Sequence, residues 1–265
     1  MNRSQTLRLL TGSLLLLSGL SLTACKKNTI DPTEPTDPIN GPGGKAGYLV
    51  GKVTDPQGKA LPRATVYTDN TVFRGRGAEV KTGNDGTYQI QLVQDLGQWV
   101  AKGYILKQYN DRTYKINLDP ENPDSFTDSE KPVRNFQWKL TGHIPDQSLD
   151  LYYGGTLEMS RDPNMDLYDN ENVEFTLTPV GPLIDGSTGK TLTLRAKRRY
   201  DTFLKDIPMG RYKITAVYKP TGQALRVCDY YNDSDYAYAS SVTVDFTGTE
   251  SANRGNMMGI SYTNR

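Results

Sequence analysis

The sequence predicts an all-β protein, two tandem β-sandwich domains behind a removable leader and a Pro-rich tether. Three observations carry this. From about residue 48 onward the apolar residues recur in short runs of period two, which sets one face of each run against a core. Gly, Pro, Asn and Asp punctuate the runs at turn positions, and no long helical pattern interrupts them. The runs also fall into two series, one before and one after residue 140, and each is long enough for a sandwich.

Taken in order, residues 1–24 stand apart from the fold. Arg3 and Arg8 form a basic start, Leu9 to Leu22 is mostly apolar with small residues, and Leu22-Thr23-Ala24-Cys25 follows. The segment is too short and wrongly flanked for a helix that stays in a bilayer. It resembles the signal peptide and lipobox of a bacterial lipoprotein. That resemblance implies cleavage before Cys25, a diacylglycerol on its thiol and an acyl chain on the new amine. Several acyl chains, at about 0.8 kcal/mol per buried methylene, anchor a protein for good where one does not. Lys26 and Lys27, rather than Asp, follow the cysteine, which in such lipoproteins fits the outer membrane.

Residues 25–46 read as the lipidated cysteine and a disordered linker. KKNTIDPTEPTDPINGPGGKA is rich in Pro and acidic residues and has almost nothing apolar to bury. At about 3.1 Å per residue, an extended Pro-rich segment of this kind holds a domain well clear of the membrane.

Residues 47–140 are expected to form the first sandwich. Asp55-Pro56-Gln57-Gly58 has the residues a type I turn prefers, because Pro56 presets φ at the second position and Gly58 closes the turn without strain. This reads as a hairpin corner. After a second turn at Asn84-Asp85-Gly86, Tyr88, Ile90 and Leu92 alternate with Gln89 and Gln91, the pattern of a half-buried strand. Short strands are expected at Trp99-Val100, at Tyr104 to Leu106, around Tyr114, Ile116 and Leu118, and around Phe136, Trp138 and Leu140.

Gly51-x-Val53-x-Asp55, Gly58-x-x-Leu61-Pro62-x-Ala64-x-Val66, the Asp85-Gly86 turn and Tyr88-x-Ile90 together resemble the carboxypeptidase regulatory-like domain, a transthyretin-like β-sandwich. The likeness covers about residues 48–140. It implies a small accessory module of a bacterial surface protein, usually without catalytic residues of its own. Arg63 departs from the pattern, standing where the family usually has Gly, which puts the bend after Pro62 in question.

Residues 141–265 are expected to form the second sandwich, transthyretin-like or immunoglobulin-like. Its strands are predicted around Leu157 and Met159, around Val173, Phe175 and Leu177, and around Leu192 and Leu194. Two more are predicted around Tyr212, Ile214, Ala216 and Tyr218 and around Val242, Val244 and Phe246.

Charge and residue inventory limit the chemistry. Two of the 31 basic residues and none of the 30 acidic ones lie in the leader, so the remainder is formally −1. No strong overall field is available to gather nucleic acid. His143 is the single histidine, so the chain lacks the two His that a zinc carboxypeptidase needs. No G-x-S-x-G elbow is present. With Cys25 used for lipid, Cys228 has no partner for a disulfide within the chain and reads as a small buried hydrophobe. The expected class is a non-enzymatic, lipid-anchored binding or assembly component, for polysaccharide or for a partner outer-membrane protein, with no cofactor. The competing class is a carboxylate-dependent glycan hydrolase, since that chemistry needs only two acidic side chains at a suitable spacing.

Two loops hold the candidate site residues. Asp162, Asp166, Asp169 and Glu171 crowd into DPNMDLYDNEN, a density of hard oxygen donors that can hold calcium, although the spacing is not that of an EF-hand. Tyr230, Tyr231, Tyr236 and Tyr238 lie among Asn232, Asp233 and Asp235. Tyrosine offers a rigid flat face and a hydroxyl at low entropy cost, which suits a sugar platform. Read as a strand, this stretch would put Tyr236 and Tyr238 on one face, with a pair rather than all four exposed.

Overall fold

The computed structural model describes residues 43–75, 77–144, 150–251 and 253–265, all within one unit. The leader, Cys25 and the tether as far as residue 42 lie outside the described residues. No helix among them is long and apolar enough to cross a membrane.

The first series of strands builds two four-stranded sheets that face each other. One takes β1 (Tyr48–Thr54), β4 (Thr87–Gln91), β7 (Asp119–Pro120) and β8 (Phe136–Gln137) in the order β4-β1-β8-β7; the other takes β2 (Thr65–Asn70), β3 (Glu79–Lys81), β5 (Trp99–Tyr109) and β6 (Arg112–Asn117) in the order β3-β2-β5-β6. Leu49, Val53, Tyr88, Ile90 and Phe136 from one and Val66, Trp99, Ile105, Tyr114 and Ile116 from the other form the buried layer between them. Tyr88 and Ile90 are buried and Gln89 and Gln91 exposed, as the alternation requires.

The Asp55 turn forms as expected: Gly58 N–H donates to Asp55 O at 3.0 Å, and the Asp55 carboxylate accepts from the backbone of Gln57 and Lys59. It is not, however, the corner of a hairpin between neighbouring strands. The chain folds back on β1 only as far as Leu61, whose N–H meets Val53 O at 2.9 Å, and then crosses to the opposite sheet. Arg63 sits at that crossing with φ +58°, so the left-handed bend that suits glycine is made with an arginine. Gly86 has φ +76°, and a Cβ there would lie 2.5 Å from Val53 O. Trp99-Val100 and Tyr104–Leu106, expected as separate strands, are one eleven-residue strand, β5.

The second series is β9 (Gly155–Arg161), β10 (Val173–Pro179), β11 (Leu192–Arg195), β12 (Phe203–Ile207), β13 (Arg211–Tyr218), β14 (Gln223–Asp229), β15 (Val242–Asp245) and β16 (Met257–Thr263). Its path runs β11-β10-β13-β14-β16-β9-β12, with β15 beside the first half of β13. The sheet divides at β14, whose first residues pair with β13 and whose last pair with β16. The two limbs close on a shared core, where the Phe175 ring of one meets the Tyr262 ring of the other edge-on at 5.5 Å. Together with the first series this is an all-β, sandwich-type architecture. Three of its strands, β12, β14 and β16, were not predicted. β16 shows why: six of its seven residues are buried, so both faces are covered and the alternation disappears.

The strands of the two series share no sheet, yet they are joined by polar contacts. The β5–β6 hairpin turns at Asn110-Asp111, both at positive φ, as a two-residue loop requires. Its tip reaches the second series: Asn110 Nδ2 donates to Asp245 Oδ1 at 2.7 Å and Tyr109 Oη to Pro182 O at 2.8 Å.

Candidate functional site

The tyrosine stretch is a loop, not a strand, and Asp229 begins it. One carboxylate oxygen of Asp229 accepts from the N–H groups of Tyr231 and Asn232 at 3.0 and 3.1 Å, the other from Asn232 Nδ2 at 2.8 Å. Asp233 does the same further on, for Asp235 N–H at 3.1 Å and Ala237 N–H at 2.8 Å. These side chains replace the hydrogen bonds a strand would have supplied, which is why Asp and Asn favour such turns. Asn232 and Asp233, two of the candidate site residues, therefore hold the loop itself. Asp235 accepts from Ser234 Oγ at 3.4 Å and stays exposed.

So held, the loop lies over the outer face of β16. Tyr231 packs on Gly259, where any Cβ would come within 2.6 Å of the ring, and its hydroxyl donates to Glu158 on β9. The Arg254 guanidinium stands 4.3 Å over the Tyr231 ring and 5.8 Å from that of Tyr230. Tyr238 bonds Ser261 Oγ at 2.8 Å, and Arg226 donates to its carbonyl. Burial, chiefly, pushes the Tyr238 phenol up to about 12. Tyr231 is raised by burial first and by its bond to Glu158 second.

All four rings form one chain. Tyr231 to Tyr230 is 5.8 Å, Tyr230 to Tyr236 6.4 Å and Tyr236 to Tyr238 6.3 Å between centroids. Tyr231 and Tyr238 are the anchored members. Tyr236, with φ +51° and 45 % of its surface exposed, is the presented one. Thus Tyr236 and Tyr238 do not share a strand face; the rings are aligned by the turn.

The four acidic residues of the other loop are not brought together. Among the described residues, no three His, Cys, Asp or Glu side chains gather as a metal site. Asp162 accepts from Asn164 N–H at 2.8 Å, Asp166 pairs with Arg265 at 3.1 Å, and Asp169 accepts from Asn172 and from Tyr218 Oη. Glu171 stands on the short 3-10 turn Asn170–Asn172. Cys228 is fully buried, and burial raises its thiol to about 11. His143 is half-exposed, edge-on to Tyr152 at 5.2 Å and 3.4 Å from Asp150.

Sequence reasoning passed over the run Lys197-Arg198-Arg199-Tyr200, all four exposed in the connection between β11 and β12. A balanced total charge conceals it. A local count would have found it, since three adjacent cations precede an aromatic residue.

No protein-family model matches the chain, and no curated protein does. Solved structures do match, among them the Bacillus anthracis TIE protein, 13 % identical over 82 % of this chain and 34 % of that chain, with a TM-score of 0.31. The chain thus spans about a third of that protein's length. The major pilin subunit of Bacillus cereus matches at 10 % identity over 83 % of this chain and 100 % of that one, TM-score 0.23. A single B repeat unit of the collagen-binding surface protein of Staphylococcus aureus matches at 10 % over 83 % and 99 %, TM-score 0.23. Likeness this loose carries no argument about function.

Proposed function

We propose that this chain is a non-catalytic binding or assembly module, held in the bacterial outer membrane by lipid on Cys25, that recognises glycan through the loop following β14. The observation that carries the reading is the chain of four tyrosine rings, each within 6.4 Å of the next and anchored at Glu158 and Ser261. A sugar ring lays its apolar face on such an aromatic face, and the fixed loop lowers the entropy lost on binding. A carboxypeptidase regulatory-like module at residues 47–140 would then serve as the spacer between the anchor and the binding domain at residues 141–265. A partner protein of the outer membrane is the other occupant this surface suits.

A glycan array probed with the unaltered chain and with Tyr236→Ala tests the reading. Loss of about 1 kcal/mol or more of binding, with unchanged stability, is the expected result. Binding that ignores Tyr236 would remove the site, and release of reducing ends from a bound glycan would favour the hydrolase class. Labelled palmitate incorporated into Cys25→Ala would contradict the anchor.

A further inference from the structure

The tyrosine face does not end at Glu158. From that residue an open groove of about 520 Å³ runs past Arg161, Tyr168 and Asn170 to Arg199 and Tyr200. The Arg161 guanidinium lies 4.5 Å over the Tyr168 ring, and its Nη1 donates to Met165 O at 2.8 Å, so its plane is fixed. Arg199 stands 5.9 Å from the ring centroid of Tyr200, which is 83 % exposed. The groove has one carboxylate, Glu158, and it is already engaged by the Tyr231 hydroxyl, with Arg254 Nε 3.9 Å away.

Beyond Tyr200 a second groove, about 720 Å³, carries Lys197 and Arg198. Arg195 and Lys205 line it too, so four cations stand against three carboxylates: Asp150 pairs with Lys205 at 2.8 Å, Asp201 accepts from Arg198 N–H at 3.1 Å and Asp206 from Gly142 N–H at 2.8 Å. No ion pair among the described residues involves Lys197, Arg198 or Arg199. One face therefore offers spaced cations beside exposed aromatic rings, open along its length.

We infer that this face binds an anionic polysaccharide, a chain in which sugars bearing a carboxylate are set among neutral ones. The inference rests on the glycan reading above and adds the ligand class. Guanidinium groups match carboxylates in a planar, two-point geometry; Arg161 is oriented by the Tyr168 ring and by its bond to Met165 O, and Arg199 stands beside the exposed Tyr200. The neutral sugars stack on Tyr200, Tyr168 and Tyr236. Charge density selects against other polyanions. Asp229 ends β14, Asp233 and Asp235 follow it in the tyrosine loop, and Asp166 precedes Tyr168; the chain without its leader is formally −1. A nucleic acid, with a charge on every nucleotide, or an anionic membrane surface would meet those carboxylates in repulsion. A sparsely charged glycan meets them with neutral hydroxyl groups, for which the exposed Asp235 carboxylate is an acceptor.

The test uses the full chain in detergent with hyaluronate and unsulfated chondroitin, in both of which a uronate alternates with a neutral sugar, each beside its carboxyl-reduced form, followed by calorimetry. At least one uronate polymer should bind about tenfold tighter than its reduced form. Arg199→Gln, and independently Lys197→Gln, should lower affinity for the charged form far more than for the reduced form and so abolish most of that preference, while Tyr236→Ala weakens both forms alike. Equal affinity for charged and reduced polymers overturns this inference and leaves the glycan reading standing. Failure of every polymer overturns both. Tighter binding to a single-stranded oligonucleotide or to vesicles of anionic phospholipid than to any uronate overturns the ligand class.

Discussion

The hydroxyl of Tyr114, on β6, donates to the main-chain carbonyl of Phe246, just past β15, at 2.8 Å, and Arg112 Nη1 reaches the same oxygen at 2.6 Å. Two donors fill both lone pairs of one acceptor. Burial, above all, raises the Tyr114 phenol to about 12, so it remains a donor at any working pH. Next to it, Thr249 N–H meets Thr113 O at 2.8 Å and Lys115 N–H meets Thr249 Oγ1 at 2.6 Å. The backbone beyond β15 thus continues the edge of β6, and the two series are coupled through main chain as well as side chains.

One expected consequence is a single urea transition for both series. Tyr114→Phe keeps the ring and removes one bond, which should cost about 1 kcal/mol. Adding Arg112→Ala leaves a buried carbonyl without either donor and should broaden or divide the transition. Two separate transitions in the unaltered chain would show that the coupling is too weak to matter.

How much of this was legible in the sequence depended on how local the cause was. The Gly86 turn and the burial of Tyr88 and Ile90 follow from neighbours in sequence, and they were readable. Tyr114 was readable as a buried strand residue, but its acceptor lies 132 residues away, and nothing nearby announces it. β16 lost its alternation because the tyrosine loop covers its outer face at Gly259 and Ser261. The loop itself is equally opaque: Asp233 looks like a ligand acceptor until the backbone N–H groups of Asp235 and Ala237 that it caps are seen. Arg63 stands where the resemblance calls for glycine, yet the left-handed bend persists with the side chain exposed.

A pH effect is expected at Asp169. Its carboxyl lies below the ordinary carboxylate range because Asn172 donates to it, with burial opposing and Tyr218 adding a second donor. A carboxyl depressed in the folded state stabilises fully above its unfolded value of about 3.9, and the contribution fades as pH falls through the lower folded value. Asp169→Asn should therefore be less stable than the unaltered chain at neutral pH, and the gap should narrow in acid. Urea midpoints taken from about pH 7 down to about pH 3 measure this; a constant gap would mean that the charge of Asp169 contributes nothing.

Gly259 is an extended residue of β16, paired with Glu158 of β9, and the Tyr231 ring rests on its bare Cα. Alanine suits a strand backbone at least as well as glycine, so a substitution there acts through space and not through φ. Its Cβ would lie 2.6 Å from two ring carbons, so the ring must lift, and overpacking of this kind costs about 1 to 3 kcal/mol. Lifting the ring draws the hydroxyl from Glu158 and disturbs the stack with Arg254 and Tyr230. Gly259→Ala should thus weaken glycan binding although residue 259 itself is buried, and Tyr231→Ala in the same chain should recover most of the lost stability without recovering the binding. Should Gly259→Ala leave both stability and binding unchanged, the loop does not rest on β16 in solution, and the alignment of the four rings loses its foundation.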